Sequence, residues 1–187
     1  MADGYDTDIT ELSGVLRTFF GTRHAILAAA IETMAASIRA GGKILIFGNG
    51  GSAAEAQHFA AELVNGFLER SKPALPAIAL TADTSALTAI GNDRGFDQVF
   101  SRQIEALGRP GDVAIGLSAS GRSPDIVRAL KSARAGRLTT IGLTGAGGGD
   151  IPPLVDYLLD VPSCSTPRIQ EAHLFLLHVL AEELEKR

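Results

Sequence analysis

Apolar positions along this chain follow two rhythms. Over residues 8–39 they recur every three or four places: Leu12, Leu16, Phe19 and Phe20, then Ile26, Leu27, Ile31 and Met34. That spacing puts them on one face of a long helix, ended by Gly41-Gly42 and expected to break or kink at Gly21. From residue 43 the rhythm changes. Short, mostly apolar runs occupy 43–47, 77–80, 113–117, 139–143 and 157–161. Runs so short and continuous predict strands covered on both faces. Helical periodicity fills the intervals at 53–66, 85–91, 97–107 and 123–135, and a last helix spans 168–186. Strand and helix in alternation predict an α/β fold, a parallel sheet sandwiched between helices.

Composition narrows the class. A chain of 187 residues suits a single domain with a sizeable core, and 45% apolar residues exclude disorder. No apolar run approaches the ~18 residues that span a bilayer, so no membrane partner is expected. Net charge is −4, without a basic stripe and without Trp, so no nucleic-acid partner is expected either. Asp3, Asp6 and Asp8 open the chain with no basic cluster, unlike a secretory signal, which makes the cytoplasm the expected location. Cys164 is the only cysteine, so an internal disulfide and a thiolate metal cluster are excluded.

In a parallel sheet, ligands bind beyond the C-terminal strand ends. Two loops there carry candidate chemistry. Gly48-Asn49-Gly50-Gly51-Ser52 stands between a strand and a helix, where glycines expose N–H groups and the helix start adds positive charge. Ser52 with Glu55 also fits a capping box, so anion site and plain turn both stay open. Ser118-Ala119-Ser120-Gly121-Arg122-Ser123-Pro124 follows the third strand. Ser123 suits the N-cap and Pro124 the first helical position. Capping does not explain Ser118, Ser120 and Gly121, which form an anion cradle with Ser123. Neither a nucleotide-triphosphate loop nor a dinucleotide fingerprint is present, leaving a small phosphoester as the ligand. Gly145 to Gly149 reads as a flexible turn.

His58 and Glu62 are four apart on the helix after the glycine loop, on one face, where they could share a divalent metal or form a solvated pair. Gln170 opens the last helix. His173 and His178 follow among Phe175, Leu176, Leu177 and Leu180, where a histidine is commonly a core or interface residue.

The segments Gly48 to Ser52, Gln57 to Glu62, Gly91-Asn92-Asp93, Ser118 to Ser123 and Arg168 to His173, in this order, closely resemble the sugar isomerase (SIS) domain. Within it they resemble the phosphoheptose isomerases, over nearly the whole chain. The resemblance implies a flavodoxin-like three-layer sandwich, a homotetramer and active sites near subunit contacts. It implies an aldose–ketose isomerase that converts sedoheptulose 7-phosphate to glycero-manno-heptose 7-phosphate through an enediol, for bacterial surface polysaccharide. Implied substrate contacts are Asn49, Gly50, Gly51, Ser52, Glu62, Asn92, Asp93, Ser118, Ala119, Ser120, Ser123 and Gln170. A zinc ion held by His58, Glu62, Gln170 and His178 is also implied, with Glu62 and His178 as the proton-transfer pair.

Three positions depart from the family's pattern. Ala119 stands where many relatives have Thr, Pro167 where some have Asp, and Gly66 where some have a basic residue. Gln170 and His178 are also about 12 Å apart along an ideal helix, so a shared metal requires an irregular helix start or two subunits. Rival readings are a non-catalytic SIS protein that binds the bacterial replication initiator, a sugar-phosphate sensor, and an isomerase of another sugar phosphate. Retention of Glu62 and His178 favours the enzyme.

Overall fold

All five expected strands form, and every pairing between them is parallel, in the order β2-β1-β3-β4-β5. The computed structural model describes residues 2–187, with side chains from Tyr5 onward. The strands are β1 (Ile44–Gly48), β2 (Ala77–Ala79), β3 (Val113–Ser118), β4 (Thr139–Thr144) and β5 (Tyr157–Asp160). The helices are α1 (Ala2–Arg39), α2 (Gly51–Asn65), α3 (Thr84–Arg94), α4 (Ser101–Leu107), α5 (Pro124–Ala135) and α6 (Thr166–Glu185).

Successive strand residues point to opposite faces, so the inner strands β1 and β3 each serve two cores. Ile44 and Ile46 of β1 with Val113, Ile115 and Leu117 of β3 pack against α1, α2 and α6. Leu45, Phe47 and Ala114 face the other way, against α4 and α5. This is the three-layer, flavodoxin-like sandwich that the strand runs and the resemblance predict. Burial on both faces is why the strand runs show no polar alternation.

Three local expectations change. Gly21 does not interrupt α1, which is continuous from Ala2 to Arg39. The ~1 kcal/mol that a mid-helix glycine costs is outweighed by fully buried neighbours such as Phe19, Ala30 and Met34. The helix expected over 97–107 is divided into a 3-10 turn at Phe96–Gln98, which follows Gly95 with φ +97, and α4. The Ser52–Glu55 capping box does not form. Gly50 is the N-cap of α2, and Ser52 and Glu55 are both buried beyond it.

The order 2-1-3-4-5 reverses between β1 and β3. In such sheets that reversal opens a crevice at the C-terminal strand ends, where ligands bind.

Candidate active site

The glycine loop leaves β1 and the serine loop leaves β3, so the two flank this crevice. They are tied together: Asn49 Nδ2 donates to Asp125 Oδ2 of α5 at 2.8 Å, and Asp125 is buried. Neither α2 nor α5 has a side-chain cap on its first turn. Two helix N-termini with free N–H groups thus meet at one crevice, which suits an anion.

The serine loop is shaped for that role. The hydroxyls of Ser118 and Ser123 lie 3.0 Å apart, so Ser123 turns to the loop interior although it occupies the N-cap position of α5. Arg122 N donates to Ser120 Oγ at 3.2 Å, and Gly121 N to Ser118 O at 3.0 Å. Gly121 has φ +64, and a Cβ there would overlap the carbonyl of Gly148. The segment from Gly145 to Gly149, expected to be a flexible turn, is therefore the wall behind the serine loop. Gly145 N donates to Ala119 O at 3.0 Å, and Asp150 N to Gly121 O at 2.9 Å.

Gln170 comes to the same crevice from α6. A Cβ on Gly51 would lie 2.7 Å from Gln170 Nε2, so the Gln170 amide lies directly against the glycine loop. Asn92 and Asp93 are exposed at the end of α3, where Asn92 Nδ2 donates to Asp93 Oδ1 at 2.7 Å.

A second cluster lies further along α2 and α6. His58 Nε2 is 2.8 Å from Glu62 Oε1 and 3.0 Å from His178 Nε2, and His178 Nε2 is 3.5 Å from Glu62 Oε1. Ligand atoms of all three lie within 4.8 Å of one another. Glu62 Oε2 is buried without a hydrogen-bond partner. Two imidazole nitrogens and a carboxylate with a spare oxygen suit zinc. α6 is a regular helix through both Gln170 and His178, so the irregular start that one shared metal would need within a subunit is not there. Gly51 to Glu62 is likewise about 16 Å along α2. Crevice and cluster thus stand well apart within one subunit.

Residues 9–145 match the family model of the SIS domain. A phosphoheptose isomerase of Nitratidesulfovibrio vulgaris is 56% identical over 149 residues, covering 80% of this chain and 71% of that protein. This chain belongs to the phosphoheptose isomerase family. Solved members of that family superpose closely. The Neisseria gonorrhoeae enzyme matches with a TM-score of 0.93 at 42% identity, over 100% of this chain and 99% of that one. The Francisella tularensis one matches with a TM-score of 0.95 at 34% identity, over 100% and 98%.

One residue of this family member had no sequence signal, and another changed its meaning. Asp125 was invisible as a partner of Asn49, because 76 residues separate them. Glu55, taken as part of a cap, is a buried carboxyl whose pKa is pushed up to about 7 by burial, against the lowering effect of its bond to Ser52. His173 is fully buried, and its Nε2 donates to Thr144 O, 3.1 Å away. Burial lowers its pKa to about 4, against the raising effect of that bond. It is the core histidine and His178 the half-buried one, a distinction that their shared helix did not reveal.

Proposed function

We propose that this chain interconverts sedoheptulose 7-phosphate and glycero-manno-heptose 7-phosphate, an aldose–ketose isomerisation that supplies heptose for bacterial surface polysaccharide. The observation that carries the reading is the pairing of an anion-shaped crevice with a His58–Glu62–His178 cluster, on a chain of this family.

Ser118, Ser120 and Ser123, with the N–H groups from Ala119 and the start of α5, hold the phosphate. Asn49, Gly50, Gly51, Ser52 and Gln170 line the sugar side, and Asn92 and Asp93 contribute from α3. Moving a carbonyl between C1 and C2 requires a proton to leave one carbon and return to its neighbour. Glu62 takes that proton as base, and His178 serves as the partner acid. His58 holds Glu62 through its 2.8 Å contact. His58, Glu62 and His178 would hold zinc, with Gln170 of a neighbouring subunit as a fourth ligand; when bound, zinc supplies polarisation of a substrate oxygen.

The distance between crevice and cluster supports a site shared by subunits, and so a homotetramer. Exposed apolar residues support it too: Tyr5 (71%) and Ile9 (66%) on the first turns of α1, and Phe175 (45%) on α6. Light scattering should give four chains per particle, and a stable monomer at micromolar concentration refutes the shared site. No helix among the described residues is long and apolar enough to cross a membrane. An exposed lone thiol, Cys164, suits a reducing cytoplasm. The decisive test is a coupled assay with purified sedoheptulose 7-phosphate. Turnover that disappears in Glu62→Gln supports the reading; no turnover by the parent chain overturns it.

A further inference from the structure

An imidazole that presents one nitrogen to a metal or a reacting group usually has its other nitrogen fixed by a carboxylate or carbonyl. His178 presents Nε2 to His58 and Glu62, yet no hydrogen bond among the described residues involves its Nδ1. Its ring is held by a flat surface instead. The ring of Phe67 lies 5.4 Å away, centroid to centroid, with the planes 14° apart. A parallel stack of this kind opposes rotation about χ2, the soft torsion that would swing Nε2 out of the cluster.

Phe67 sits just past the end of α2, in a segment without regular structure that reaches to residue 76. One carboxylate anchors it there. Glu185 Oε1 accepts from Phe67 N at 2.9 Å and from Glu69 N at 3.2 Å, and Oε2 accepts from Leu68 N at 3.1 Å. Three successive N–H groups closing on one anion form a nest. Burial acts to raise the pKa of Glu185, but these donors and Lys72 hold it below the usual carboxylate range, so the anchor stays charged at neutral pH. His178 and Glu185 are seven apart on α6, hence on one face two turns apart. The 67–69 segment bridges them.

We propose, resting on the reading of His58, Glu62 and His178 as one reacting cluster, that Phe67 is a positioning residue that orients the His178 imidazole, and that Glu185 acts through it by pinning the 67–69 backbone. Neither residue touches the substrate. Their effect reaches the reaction through the angle of one ring.

The test uses the full chain, with Co2+ as the metal probe and Phe67→Leu, Phe67→Tyr and Glu185→Gln as variants. Phe67→Leu keeps apolar volume but loses the flat face, and should weaken Co2+ binding by about 10–100-fold. Its visible Co2+ spectrum should change and its kcat fall, while KM stays within about twofold because the phosphate crevice is untouched. Phe67→Tyr should restore all of these. Glu185→Gln should move them in the same direction as Phe67→Leu, and serves if that variant folds poorly. A metal-free readout decides the matter separately. In carbon-13-labelled apoprotein, the His178 ring protons should show an upfield shift from Phe67 that is lost in Phe67→Leu and reduced in Glu185→Gln. If the parent binds no Co2+ that His58→Ala abolishes, the metal reading fails, and the ring shift still judges the positioning role. If the His178 shift is the same in parent, Phe67→Leu and Glu185→Gln, the proposal is wrong.

Discussion

Replacing Gly121 by alanine should damage the crevice in a way calculable from its surroundings. An L side chain at φ +64 costs about 1–2 kcal/mol in backbone strain. The added Cβ would also overlap the carbonyl of Gly148, with the backbone of Gly149 close behind, and backbone cannot swing aside as a flexible side chain can. The wall must retreat, and two hydrogen bonds go with it: Asp150 N to Gly121 O and Gly145 N to Ala119 O. At about 1 kcal/mol each, the total reaches roughly 3–4 kcal/mol. Gly147 is the control. It has φ +78 but open space where a Cβ would go, so Gly147→Ala carries the strain alone, about 1–2 kcal/mol. In thermal unfolding at fixed protein concentration the drops should be roughly 10 °C and 4 °C. Inorganic phosphate, titrated calorimetrically, should bind Gly121→Ala far more weakly than Gly147→Ala. Equal melting temperatures and equal phosphate affinities for the two variants would refute the view that the glycine segment shapes the serine loop.

Four further outcomes are expected. The double variant Ser120→Ala, Ser123→Ala loses two hydroxyl donors worth about 1.5–3 kcal/mol each to a charged group, so sugar-phosphate affinity should fall at least roughly 100-fold in a folded protein; unchanged affinity places the phosphate elsewhere. Glu62→Gln should reduce turnover by at least roughly 100-fold with KM little moved, and zinc content measured on the same preparation separates loss of the base from loss of metal. Burial holds Glu55 at about 7, above its unfolded value of 4.5, so its stability contribution is present below pH 4.5 and lost as pH rises through 7; Glu55→Gln should therefore gain about 1–2 kcal/mol over the parent at pH 8, and no gain in urea unfolding contradicts it. His173 has the opposite sign: its folded value of about 4 lies below the unfolded 6.5, so stability is present above pH 6.5 and lost as pH falls through 4. The parent should lose on the order of 3 kcal/mol between those values that His173→Leu does not, and parallel pH profiles would exclude that cause.

What the chain's own sequence determined is everything set by short-range spacing. Short continuous apolar runs placed five strands and the period-3.6 pattern the main helices, because a strand covered on both faces needs apolar residues throughout and a helix covered on one face needs them every three or four. The glycine and serine loops stood out for the same reason: each lies within a few residues of a strand end. So did His58 and Glu62, four apart on one helix turn. Tertiary structure decided whatever depends on pairs distant in sequence. It brought His178 to within 3.0 Å of His58 across 120 residues, and Gln170 against Gly51. It put His173 into the core and left His178, on the same helix, half-buried against His58 and Phe67. It turned the Gly145–Gly149 segment from a loose turn into a wall, and it brought Glu185 to the backbone of Phe67 as an anchor. None of these has a local signature, because a glycine's need for space and a carboxylate's need for donors are set by whatever the fold packs beside them.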